Sequence, residues 1–195
     1  MDKKTLDRNW YYFLTLDRDL YDTTLYIEPE GQESTYSFAF YKLIMLGGSE
    51  AESLMKQLCK EIDPGNTGGN IGQFKDTILG KYPQIENVRI NVSRWGGKEI
   101  MPFDNWSTKK LQWWDDYSEL KHSRFKTIEK ATFENTAYTL GALFVLNYYL
   151  YAAAGEHLPI GSKSFDSCYT PPYLLCSADE KLPDFSHKTA TNNCS

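Results

Sequence analysis

The alternation of apolar and polar positions along the chain predicts a mainly helical protein. Over residues 6–26 the apolar side chains of Trp10, Phe13, Leu14, Leu20 and Leu25 recur loosely at helical spacing, while Asp17, Arg18, Asp19 and Asp22 mark a wet face. The stretch "IEPEGQES" interrupts that pattern with Pro29 and Gly31. A second apolar stripe runs over residues 36–62, and Ser34 or Thr35 is placed to cap it by accepting unpaired amide hydrogens. Gly47 and Gly48 stand in its middle. Each weakens a helix by roughly 1 kcal/mol, so either a neighbouring helix approaches closely there or the helix breaks.

"DPGNTGGN" (63–70) reads as a loop, and residues 73–79 as a short helix. In "ENVRINVSRWGGKEIMPF", Val88, Ile90 and Val92 alternate with polar residues and are followed by Gly96 and Gly97. Alternation supplies one buried face and the glycines accept a tight turn, which together signal a hairpin. Helical patterning returns over residues 107–122 and again over 126–154. Beyond Gly155 the chain is loop-like and rich in proline; "TPPYLLC" can lie across the bundle in extended form, and the last ten residues are expected to be mobile.

The expected fold is therefore all-α in the main: an antiparallel bundle of about four to five helices, with a short β-hairpin near 87–103. Residues 1–154 would form the bundle domain and 155–195 a loop-rich extension. The uncharged stretch 135–155, "NTAYTLGALFVLNYYLYAAAG", has about the length of a membrane span. Its asparagines, threonines and four tyrosines, and the lack of a strongly basic flank, favour a central helix buried among its neighbours.

Composition narrows the picture. With 14 Tyr, 10 Phe and 5 Trp the core is aromatic, and a net charge of −5 argues against a protein that coats nucleic acid by bulk electrostatics. A local basic groove is still compatible with it. The start lacks a secretion-signal pattern and the four cysteines make no CxxC pair, so reduced thiols in a cytoplasm are expected. Cys168, Cys176 and His187 lie near one another in sequence but match no common zinc spacing. No phosphate-binding loop, dinucleotide fingerprint, HExxH or GxSxG is present. No metal or cofactor is expected.

The segment with chemistry is "WWDDYSELKHSR" (113–124). At about 100° per residue, Asp115, Ser118, Glu119 and Phe125 fall within roughly 60° of His122. Trp113, Tyr117, Leu120 and Arg124 fall on the opposite side if the helix runs straight. A histidine beside carboxylates has its charged form favoured and can act as acid, base or electrostatic donor. The plainer reading is a solvated face whose histidine complements the helix dipole.

"TYSFAFYKLIMLGGSEAESLMKQLC", "MPFDNW", "LQWWDDYSELKHSR" and "LGALFVLNYYL" together resemble bacterial HEPN-like proteins, over most of residues 5–154. The resemblance implies a helical bundle that commonly forms homodimers. Many such proteins are metal-independent ribonucleases in toxin–antitoxin, abortive-infection or CRISPR-linked defence. Their site pairs an arginine and a polar residue with a histidine a few positions on. His122 fits the histidine and Ser118 the polar residue, but Tyr117 stands where arginine is expected. Lys121 and Arg124 are the nearby cations.

Two functions follow as expectations. One is a non-catalytic interaction or RNA-associated module in bacterial defence, with RNA or a protein such as an antitoxin as partner. The other is a ribonuclease using His122 with Ser118, Lys121 or Arg124 at a dimer interface. A third, structural role is an accessory that binds another protein.

Overall fold

The computed structural model describes residues 1–66, 68–159 and 169–170. Five α-helices lie among them: α1 (Lys3–Thr23), α2 (Phe38–Ile62), α3 (Ile71–Lys81), α4 (Gln112–Thr127) and α5 (Phe133–Ala153). Between α3 and α4 a hairpin joins β1 (Ile90–Val92) to β2 (Lys98–Ile100), and β3 (Tyr169–Thr170) pairs antiparallel with the other edge of β1. The mainly helical architecture with a small hairpin agrees with the sequence pattern. "TPPYLLC", the last ten residues, Cys168, Cys176, Cys194 and His187 lie outside the described residues.

Local chemistry sets the helix starts. Asp2, Ser37, Asn70 and Thr132 each accept a backbone N–H in the first turn of their helices, at 2.8, 3.1, 3.1 and 3.1 Å, satisfying amides that have no partner inside the helix. Ser37, rather than Ser34 or Thr35, caps α2 because the chain before it is held elsewhere: Tyr36 bridges to Thr132. Gly96 (φ 60°) and Gly97 (φ 74°) take left-handed conformations that close the hairpin.

α1 runs antiparallel to both long partners. Asn9 meets Gln57 and Lys42 meets Asp19 on α2, while the Tyr151 hydroxyl of α5 donates to Asp7 at 2.8 Å. α2 and α5 run parallel. Phe40 packs edge-on against Phe133 at 5.9 Å, and two turns further along both helices Gly47 faces Leu140. A short loop joins only antiparallel neighbours. The long excursion through α3, the hairpin and α4 returns the chain to the end at which α2 began, and this allows the parallel pair.

α5 is the central helix. It is buried on nearly every side, from Phe133 through Tyr151, which accounts for the absence of charge after Glu134 in its first turn. Among the described residues no helix is long and apolar enough to cross a membrane. The paired glycines of α2 serve close approach without breaking the helix. A Cβ at Gly47 would lie 2.7 Å from Leu140 of α5, and one at Gly48 would lie 2.4 Å from the Tyr117 ring of α4. Tyr169 also joins the core, stacking on Phe144 at 6.2 Å and donating its hydroxyl to the Ala137 carbonyl at 2.9 Å.

Candidate functional site

Trp113, Asp116, Tyr117 and Leu120 are the buried positions of α4, spaced to put one face of the helix on the core. Trp113 donates its indole N–H to the Pro102 carbonyl at 2.8 Å. Tyr117 and Leu120 pack with Ile44 of α2 and with Ala131. The flat Tyr117 ring fits because Gly48 has no side chain.

The helix does not run straight. Ser123 has φ −142° and ψ 38°, outside the helical region, and a 3₁₀ turn, Ile128–Lys130, follows before Thr132 caps α5. The interruption at Ser123 falls where the sequence pattern lapses between 122 and 126, but the helix expected from 126 starts at Phe133. The start of α4 also moves, from 107 to Gln112, because residues 102–108 form turns.

What holds the chain beyond the break is an ion cluster absent from the sequence-based expectation. The Lys130 ammonium donates to Asp116 Oδ1 at 3.0 Å and to Glu119 Oε2 at 2.6 Å, and Gln112 Nε2 adds a second donor to Asp116 at 3.0 Å. The Asp116 side chain is only 5% exposed, so its charge is tolerated because it is paired. The hydrogen bond from Lys130 to Glu119, and then the pairing with Asp116, push the lysine above its ordinary range. The Lys130 carbonyl in turn accepts from Asn135 Nδ2 at 2.7 Å. Leu120 on one side and Lys130 with buried Ala131 on the other anchor the segment between them.

Residues 121–126, "KHSRFK", therefore stand out from the bundle, and all six are exposed. The strip holds Lys121, His122, Arg124 and Lys126 without one acidic residue. Lys121 donates to the Tyr117 hydroxyl at 3.4 Å and lies 4.0 Å from Glu52, a carboxylate that Lys56 approaches more closely at 2.7 Å. Arg124 lies near two rings, its guanidinium carbon 5.5 Å from the centroid of Tyr41 and 4.5 Å from that of Phe125. Phe125 itself is 83% exposed.

Of the residues singled out from sequence, Lys121, His122 and Arg124 come together on this strip. Ser118 is half-buried on the turn before it. Arg124 is exposed where Trp113, Tyr117 and Leu120 are buried, and it reaches Tyr41 of α2, whose ring packs beside Tyr117 and Leu120. The carboxylates expected near His122 are engaged by lysines, Glu119 by Lys130 and Asp115 by Lys110 at 3.8 Å. Tyr117, at the position of the expected arginine, is a core residue.

Phe125, Tyr41, Lys126 and the Asp116–Lys130 pair were not singled out as site residues. The available signal was an apolar residue, Phe125, placed inside a run of cations. Among the described residues no group of three or more His, Cys, Asp or Glu could hold a metal ion. Cys59 is free and buried, and burial pushes its thiol up to about 11. Comparison with protein-family models, with curated proteins and with solved structures finds no match for the chain.

Proposed function

We propose that the chain is a non-catalytic, RNA-associated module of HEPN-like type, with residues 121–126 as its contact surface. The observation that carries this reading is the exposed, acid-free strip of Lys121, His122, Arg124 and Lys126 on a chain of net charge −5. A phosphodiester backbone is bound mainly through such cations, and a guanidinium offers a planar fork of donors suited to phosphate oxygens. Stacking on Tyr41 and Phe125 limits the freedom of Arg124, so less entropy is lost when it engages a ligand. The absence of catalysis follows from Tyr117. In place of the arginine that would hold a scissile phosphate stands a ring locked against Gly48. A bacterial defence setting, a homodimer and a protein partner such as an antitoxin belong to this reading through the resemblance.

The rival is the ribonuclease. It draws on the exposure of His122 beside Lys121 and Arg124, since a histidine can move the proton of a ribose 2′-hydroxyl while cations offset developing charge. Labelled single-stranded RNA incubated with the protein in chelator separates the two. The proposal expects RNA to be retained intact by the wild type, and released by a variant carrying Lys121→Glu, Arg124→Glu and Lys126→Glu. Cleavage that disappears in His122→Ala would establish the ribonuclease instead. Failure of the wild type to retain or cut RNA at low salt would end both readings.

A further inference from the structure

Phe125 poses a problem that charge alone does not answer. An aromatic ring left 83% exposed forgoes the burial that usually places phenylalanine in a core. It also lies immediately beyond a broken helix whose exposed positions are otherwise polar or charged. Arg124 lies over the ring at 4.5 Å and also approaches Tyr41 at 5.5 Å, so one guanidinium is near both aromatic rings. The cation occupies one side of the Phe125 ring, and the exposure of the residue leaves the other side to solvent.

We propose that Phe125 is a stacking platform for an unpaired nucleobase, while Lys121, Arg124 and Lys126 hold the flanking phosphates. This rests on the RNA-associated reading above and adds what that reading does not specify: the ligand is single-stranded, and an aromatic face takes part as well as charge. Every base presents a π-face, so stacking of this kind tolerates any sequence. Bases inside a duplex are already stacked on each other and cannot offer that face to a side chain. Arg124 and Lys126 flank Phe125 in the chain, so both cations are within a residue of the ring that would take the base.

The test compares the wild type with Phe125→Ala and Phe125→Tyr, by fluorescence anisotropy on three probes. These are a mixed-sequence single-stranded RNA, the same RNA as a duplex, and an abasic oligonucleotide of equal length. Loss of one base–aromatic stack corresponds to a weakening of about 5- to 150-fold. Phe125→Ala is expected to show that loss on the single strand and almost none on the duplex or the abasic probe. Phe125→Tyr, which keeps the flat ring, is expected to bind like the wild type. Thermal melting should be the same in all three proteins, because the ring lies outside the core.

Phe125→Ala binding the single strand as tightly as the wild type would overturn the platform. So would equal weakening on the abasic probe, because the ring would then act on something other than a base. A shift from dimer to monomer in Phe125→Ala, read by light scattering, would also overturn it, by giving the ring a protein neighbour. No binding of the single strand by the wild type is a different result: it removes the RNA-associated reading itself.

Discussion

Up to Leu120, α4 buries Trp113, Asp116, Tyr117 and Leu120 against the bundle; from Lys121 to Lys126 every side chain faces water. The two halves are continuous in sequence, yet one is buried in the bundle and the other only touches its surface, through Lys121 at Tyr117 and Arg124 at Tyr41. The difference comes from what is paired. In the first half the Asp116 carboxylate meets Lys130 and Gln112, and Tyr117 finds the gap left by Gly48. In the second half Arg124 and Lys126 face water without a carboxylate partner among the described residues, and Lys121 meets Glu52 only at 4.0 Å. Fold and proposed function are thus separated at Ser123, and substitutions on either side should have different consequences.

The largest effect is expected from Leu120→Ala. This side chain is fully buried at the last packed turn, and truncation of a buried leucine destabilises by about 2–5 kcal/mol. Chemical denaturation should show the loss. A change within experimental error would mean that the packed half of α4 does not hold the segment in place.

Gly48→Ala comes next. The new Cβ would meet the Tyr117 ring at 2.4 Å, and overpacking of this kind destabilises by about 1–3 kcal/mol. The helix propensity of alanine offsets part of that, roughly 1 kcal/mol. Gly48→Ala combined with Tyr117→Leu should recover stability relative to Gly48→Ala alone, which a double-mutant cycle by denaturation would read.

Lys130 joins the two halves and gives the comparison a pH dependence. Its folded-state pKa is raised, mainly by the hydrogen bond to Glu119. Its contribution is therefore complete below the ordinary lysine value of about 10.4 and is lost as pH rises through the higher folded value. Melting temperature followed from neutral to alkaline pH should show this loss in the wild type. Lys130→Met should begin less stable and lack that step.

The smallest stability effects belong to the exposed strip. Arg124→Ala and Lys126→Ala should change stability by no more than about 0.5 kcal/mol, while each weakens RNA retention. A large loss of stability in either would show that the strip is part of the packed structure after all.

Much of this division is legible in the sequence. The stripes of α1, α2 and α5, the alternation in β1 and the two turn glycines are visible because each is a local periodicity or a conformational requirement. His122, Lys121 and Arg124 are legible as a cluster because they are adjacent in the chain. An interruption after residue 122 is legible too, since helical patterning ends there and resumes at 126; the start of α5 at Phe133 is not. Neither glycine nor proline marks the stretch before Phe133, and the 3₁₀ turn Ile128–Lys130 and the Thr132 cap set that start. Helical projection treated Phe125 as a neighbour of His122 and nothing more. The stacking of Arg124 on Tyr41 joins residues far apart in sequence, and no local pattern reports such a contact. The Ser37 cap is a smaller case: Ser34, Thr35 and Ser37 all suit the role, and the bridge from Tyr36 to Thr132 decides among them.

The most direct test of the central claim, that residues 121–126 form a phosphate-binding surface, is the affinity for single-stranded RNA measured across a range of salt concentrations. Each phosphate neutralised on a single strand contributes a slope of about −0.7 in log affinity against log salt. Lys121, Arg124 and Lys126 together should therefore give the wild type a slope of about −2, and replacing all three with alanine should bring it close to zero. An unchanged slope and affinity in the triple variant, or a wild type that does not bind at low salt, would contradict the account.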